Sequence, residues 1–288
     1  MSLGVLTNIA AINAENSLNQ TQNSLNTVLQ QLSSGSRINS GSDDAAGLAI
    51  SDGLNANQAA LTQSAQNAQD GVGLLQTADG ALSQVTNLLD RAVTLATEAS
   101  NGTLTTAQQT SADTEFQSIL TEIGNIGSTT NFNSINVFSS ASTSFVVSDG
   151  TAAGTSTFTD TIGVLTTASV GTTAGAVPGA GQALNADNLL TTTAASTALT
   201  DVTTAISNVS FQRGTIGADV NQLNAASNVA SSEQVNLASA SNSILATNFG
   251  QATSDLAKFQ VLSQTGISAL AQANSVQQEI LKLLQYTN

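Results

Sequence analysis

The 288-residue sequence contains no Cys, no His and no Trp, and one Pro. Without Cys or His there are no disulfides, no thiolate nucleophiles, no imidazole bases and none of the usual zinc ligands, so most hydrolase mechanisms lose their machinery. Paired carboxylates could still work as acid and base. The single adjacent pair, Asp43 and Asp44, reads instead as the first turn of a helix capped by Ser42, where negative charge meets the positive end of the helix dipole. Aromatic residues make up only 3% of the chain. Its apolar content is Ala, Leu, Val and Ile, which suits narrow helix-on-helix seams better than one thick core.

Positive charge is also scarce. Nineteen acidic residues face five basic ones, Arg37, Arg91, Arg213, Lys258 and Lys282, for a net charge of -14. Such a chain repels phosphate, so neither nucleic acid nor an anionic membrane surface is an expected partner. No stretch approaches the roughly 20 apolar residues that span a bilayer. The N-terminus lacks the basic and apolar regions of a cleaved signal. Two readings follow: a cytoplasmic protein, or one exported without signal cleavage.

What the sequence does contain is heptad periodicity. With Pro178 alone to break helices, a ladder runs Leu54, Leu61, Ala68, Leu75, Leu82, Leu89, Ala96, with Ile50, Ala78, Val85 and Ala92 at companion positions. Asn57, Ser64 and Gly71 interrupt that companion row. A helix from about Asp43 to Ser100 would be about 85 Å long at its rise per residue. A compact globule of this length has a radius of gyration of about 19 Å, so the pattern predicts a rod.

Both ends carry further seams. Ala11, Leu18, Leu25 and Leu32, with Ala14, Thr21 and Val28, mark an N-terminal helix; Phe259, Leu262, Gly266, Ala269, Ala273, Val276, Ile280 and Leu283 mark a C-terminal one. Their other faces carry Asn, Gln, Ser and Thr where a solvated coiled coil carries Glu and Lys. These helices suit burial against further copies of the chain, a reading compatible with pairing between the two ends of one monomer. Shorter helices are expected at about 112–126, 199–209 and 216–244. Between 131 and 182 the helical period disappears, and "FVVSDGTAAGTSTFTDTIGV" reads as short strands around turns at Asp149-Gly150 and Ala153-Gly154. An enzyme housed in this insertion would have only Asp149, Asp160 and hydroxyl groups, with no base to activate them.

The fold class expected is therefore mainly α, an elongated rod of long antiparallel helices formed by the N- and C-terminal segments, with a small β-rich central insertion. The boundaries are 1–40 and 250–288 for the terminal helices, 41–140 and 195–249 for the helical rod, and 141–194 for the insertion.

Several stretches carry a resemblance. "LSSGSRINSGSDDAAGLAIS" resembles the N-terminal signature of bacterial flagellins, and "VLSQTGISALAQANSVQQEILKLLQ" is similar to their C-terminal one; "NAQDGVGLLQTADGAL" and "TNFNSINVF" match in the right order. The resemblance covers roughly 1–140 and 195–288. It implies a subunit of the extracellular flagellar filament that polymerises with itself, its terminal segments forming an inner tube and the rod an outer one. It implies export unfolded through the flagellar type III system, no cofactor, and as partners an export chaperone and the filament cap and hook-filament junction proteins. A hook-filament junction protein is the alternative within the same resemblance.

Self-assembly is expected to rest on Leu18, Leu25, Leu32, Arg37, Phe259, Leu262, Val276, Ile280 and Leu283, with Arg37 pairing with a carboxylate of this or a neighbouring subunit. The resemblance also implies a patch read by the vertebrate innate-immune flagellin receptor, which falls on Arg91, Leu95 and Glu115. A contact of Arg91 and Glu115 with the next subunit is the competing reading. Gln31 and Ser42 stand where relatives often carry a basic residue, so neutral hydrogen bonds are expected to replace salt bridges there, each contributing about 1 kcal/mol.

Overall fold

The computed structural model describes residues 8–150, 156–172 and 181–286. The expected turn at Ala153-Gly154, and the side chains of Ile280 and Leu283, lie outside the described residues. Five helices dominate: α1 (Ile9–Ser34), α2 (Ala45–Ser100), α3 (Thr106–Thr129), α4 (Thr192–Leu245) and α5 (Phe249–Tyr286). Among the described residues, four short strands lie between α3 and α4: β1 (Asn131–Phe132), β2 (Ile135–Asn136), β3 (Thr143–Val146) and β4 (Thr157–Asp160). The mainly α architecture with a small β insertion is the one the sequence predicts. The chain divides into two compact units, residues 1–56 with 237–288, and residues 57–236.

In the first unit α1 and α5 pair antiparallel, with Leu18 against Gly266 and Gly35 against the Phe249 ring. Asn8 caps α1 by accepting the Ala11 N–H through its side-chain oxygen, and its amide nitrogen donates to the Ala273 carbonyl of α5 at 2.9 Å. One side chain thus starts one helix and ties it to the other. A Cβ at 266 would stand 3.2 Å from Leu18, so the small residue sets how closely the helices approach. α1 ends on Gly35, whose φ of 71° is the left-handed conformation glycine adopts without steric cost, and its N–H returns to the Gln31 carbonyl.

The start of α2 differs from expectation. Asp44, not Ser42, accepts the Gly47 N–H (2.9 Å), so it acts as the cap, one residue before the helix begins. Asp43 lies outside the helix and accepts the N–H groups of Asn39 and Ser40, which hold its carboxyl below the usual carboxylate range. The two acids therefore close the loop that joins α1 to α2.

The second unit contains the core. The α2 ladder is buried as its period predicts: Leu75, Ala78, Leu82, Val85, Leu89, Ala92 and Ala96 are fully covered. α3 folds back along α2 after a capping box between Thr105 and Gln108, and it buries Phe116, Ile119, Leu120 and Ile123. α4 runs antiparallel to α2, with Gln58 donating to the Gln234 carbonyl and Arg213 bonded to Asp79. The expected helices at 199–209 and 216–244 are one continuous helix. Gly214 and Gly217 cost it about 1 kcal/mol each, but the buried side chains of Val202, Val209, Ile216 and Leu223 hold it through that stretch. α3 likewise exceeds its expected span: the capping box sets its start at Thr106, and its exposed Thr and Ser hydroxyls bond back to the carbonyl four residues earlier, as at Thr110 and Thr114.

The interruptions in the α2 ladder are where the insertion docks. Ser64 donates its hydroxyl to the Ser148 carbonyl at 2.6 Å, and Gly71 leaves room for Leu223 and the Phe145 ring, which a Cβ would meet at 2.9 and 3.2 Å. β1 and β2 form a hairpin around Asn133 and Ser134, both with positive φ, as a two-residue turn requires. β3 pairs antiparallel with β4, and Gly150, at the expected Asp149-Gly150 turn, has φ 72°. Residues 161–172 then pack on α4: the Gln212 amide, buried, donates to the Ile162 carbonyl at 2.6 Å, and Gly171 meets the backbone of Asn208 and Val209.

Candidate functional site

Among its described residues the first unit has almost no interior. The buried apolar ones are Val28, Ile38 and Ala252, whereas Ile9, Ile12, Ile50, Phe249, Val261 and Ile267 are all large, apolar and exposed. Val261 is 63% exposed and Ile9 65%. Two antiparallel helices bury only one stripe of each, so the remaining apolar side chains face solvent.

The α1 seam follows the predicted heptad: Leu18, Leu25 and Leu32 are half-buried, and Val28 is buried. The α5 seam does so only in part. Phe259, Gly266 and Ala273 turn toward α1, but their companions are Leu256, Ser263 and Leu270, not the expected Leu262, Ala269 and Val276. Leu262 and Val276 are 43% and 45% exposed. Gly266 and Ser263 give the inner row room for Leu18, while Leu256, Phe259 and Leu270 supply its apolar contacts, so the Leu262 and Val276 row stays outside. Leu262 and Val276 thus belong to the exposed surface of the hairpin and not to its internal seam.

Arg37 sits at a corner where the end of α1, the end of α4 and the start of α5 meet. Its guanidinium donates to the Ile244 carbonyl at 2.9 Å and its backbone N–H to the Leu245 carbonyl. The expected carboxylate partner is not what it binds within the chain. α4 has no basic residue in its last turn, and its terminal carbonyls, carrying the negative end of the helix dipole, take the place of the carboxylate. Around Arg37 the hydrogen bonds are neutral: Gln31 donates to the Arg37 carbonyl at 3.0 Å, Thr247 donates to the Gln31 carbonyl, and Asn248 caps α5 through the Gln251 N–H. Sequence reasoning missed Thr247 and Asn248 as corner residues. The pattern Asn-x-x-Gln just before an apolar run is the helix-start signal that marks them.

In the second unit Arg91 of α2 and Glu115 of α3 form an exposed ion pair at 2.7 Å, which holds the Glu115 carboxyl below the usual range. Leu95, expected beside them on the same patch, is 3% exposed and part of the core. At the helical period it falls on the α2 face that carries Leu88, Ala92 and Ala99. The surface there is therefore the ion pair alone.

Two surface grooves, of about 660 Å³ beside Val93, Thr97 and Glu98 and about 480 Å³ between α2 and α3 at Ala81, Leu88 and Glu122, each hold one carboxylate. Among the described residues no three acidic groups converge as metal ligands, and no helix is long and apolar enough to cross a membrane. What the arrangement offers is surface: two paired helices with apolar residues left uncovered.

Comparison with known proteins gives this surface a context. A sequence model described as the bacterial flagellin N-terminal helical region matches residues 5–143, and one described as the bacterial flagellin C-terminal helical region matches residues 199–284. Neither reaches residues 144–198. A flagellin of Listeria innocua is 29% identical over 97% of this chain and 99% of its own length. Flagellin 1 of Proteus mirabilis is 39% identical over 52% of this chain, and the matched part is 41% of that protein. The crystal structure of Bacillus cereus flagellin superposes with a TM-score of 0.46 at 29% identity, over 57% of this chain and 88% of that one.

Proposed function

Because this chain belongs to the bacterial flagellin family, we propose that it is a structural subunit that polymerises into the flagellar filament through the exposed apolar faces of α1 and α5. The observation that carries the assembly surface is the first unit's lack of an interior: side chains such as Ile9, Val261 and Ile267 are uncovered in the single chain, and copies packed side by side cover them. Each such residue contributes about 1.5–3 kcal/mol when taken from full exposure to full burial. Repeated over a polymer, this is the driving force for assembly. Motility follows from the stiffness of the resulting fibre, not from chemistry on the chain.

On this reading the subunit travels through the flagellar type III channel and works outside the cell. Its partners are other copies of itself, an export chaperone, and the cap and hook-filament junction proteins. Arg91 and Glu115 form the part of the surface available to the innate-immune receptor. Electron microscopy of the purified chain under salting-out conditions tests the assignment. Long filaments are expected, whereas protein that stays in short or soluble species would favour a hook-filament junction role.

A further inference from the structure

Asp187 lies just before α4, and its Oδ2 atom is buried without a hydrogen-bond donor. The backbone on either side is fixed. Gln117 of α3 donates to the Asp187 carbonyl at 2.8 Å, and the Leu189 N–H donates to Oδ1 of Asp113, also on α3, at 2.8 Å. On α4 the Asp201 carboxyl is within hydrogen-bonding reach of the Asp187 carboxyl, and its Oδ1 accepts from the Gln182 amide at 3.0 Å. The charged groups that α3 and α4 present to this segment, Asp113 and Asp201, are thus both acidic. The ion pairs made by Arg91 and Arg213 lie elsewhere.

Two ionised carboxylates have four acceptor oxygens and no proton to share, so they cannot bond to each other; a carboxylic acid beside a carboxylate can. We propose that Asp187 and Asp201 share one proton and act as an acid-closed clasp, which fastens residues 182–190 to α3 and α4 and loosens as pH rises. Burial pushes the Asp187 carboxyl up to about 6, and the Asp201 charge and the hydrogen bond to it act in the same direction. The sign follows from linkage: the folded state holds this proton more tightly than the unfolded one. The clasp's contribution is therefore full below the ordinary value of 3.8 and is lost as pH rises through about 6. The clasp has one member, Asp187, within 144–198, which neither flagellin sequence model reaches, and the other in the matched part of α4.

Hydrogen exchange of the full-length soluble chain at pH 5 and pH 8, corrected for intrinsic rates and read in peptides covering 181–190, tests this. With the Asp187 carboxyl at about 6 in the folded chain and 3.8 when the segment opens, going from pH 5 to pH 8 permits up to about a tenfold rise in local opening, and partial solvent exposure reduces the expected rise to roughly severalfold. Asp187→Asn keeps the shape of the protonated acid and a donor for Asp201, so its protection should be the same at both pH values. Asp201→Asn should lessen the pH dependence without abolishing it, because burial still raises the Asp187 carboxyl. Equal protection of the wild-type segment at pH 5 and pH 8, or an Asp187→Asn chain that keeps the wild-type pH dependence, would overturn the proposal. Carboxyl-carbon NMR of the wild type supplies a readout free of substitution: one carboxyl titrating near 6 is expected, and both titrating in the ordinary range would also overturn it.

Discussion

Replacing Leu262 and Val276 together by Ala separates the assembly surface from the fold. Truncation of Leu to Ala removes three carbons and of Val to Ala two, each contributing about 0.8 kcal/mol when buried. In the single chain the two side chains are 43% and 45% exposed, so only that share remains to be covered by neighbouring copies. The loss on assembly is then about 1 kcal/mol for Leu262 and about 0.7 kcal/mol for Val276. Together, at 1.4 kcal/mol per factor of ten, the critical concentration for polymerisation should rise roughly fifteenfold. Sedimentation of filaments from a dilution series measures it, with urea unfolding of the soluble chain as control. The second unit, which holds the buried core, should unfold at the wild-type midpoint. A critical concentration within twofold of wild type would refute the placement of these residues at an assembly contact. So would a loss of stability in the second unit large enough to explain the defect by itself.

Other substitutions probe other joints of the chain. Arg37→Ala removes a charged donor from the Ile244 carbonyl at an exposed corner, a loss of about 1 kcal/mol; circular dichroism should show helix content nearly unchanged while assembly or filament stability falls. Normal filaments from that variant would count against the corner's role. Gly127→Ala places a methyl group inside the Leu165 carbonyl, and overpacking of this kind costs about 1–3 kcal/mol, read as a lower urea midpoint for the second unit. For the Arg91–Glu115 surface, monomer should activate reporter cells carrying the flagellin receptor, and Arg91→Ala should weaken that response; silence of the unsubstituted chain at micromolar concentration would end the receptor assignment.

The long helices were legible because one Pro and a sustained heptad leave little else for the chain to do. The α2 ladder from Leu61 to Ala96 is buried in its predicted register. Even its apparent faults, Ser64 and Gly71, were visible, but their meaning was not: a hydroxyl and a gap become docking points only when Ser148 and Phe145 arrive from elsewhere in the chain. The α5 seam was misassigned for a related reason. Apolar content picks out the Leu262 and Val276 row, while the geometry of a two-helix pair picks out the row that fits Leu18. Arg37 shows the limit on the electrostatic side. Counting acids suggests a carboxylate partner, yet a helix end presents backbone carbonyls that no composition records. Thr247 and Asn248 were missed because their signal is a cap motif, read only once a helix start is expected there. The Asp187–Asp201 contact depends on two segments meeting in space and leaves no local mark.

The near absence of an interior in the first unit also decides what a melting experiment can see. A thermal-shift screen of soluble protein reports the cooperative unit with a core, residues 57–236, and is almost blind to the α1–α5 pair. A variant library sorted by solubility or melting temperature would keep substitutions at Ile9 or Val261, and would even favour polar replacements there. Selection for swimming would discard the same clones. Tolerance maps from the two screens should therefore disagree most over residues 9–34 and 249–286, and that disagreement would itself trace the contact surface residue by residue.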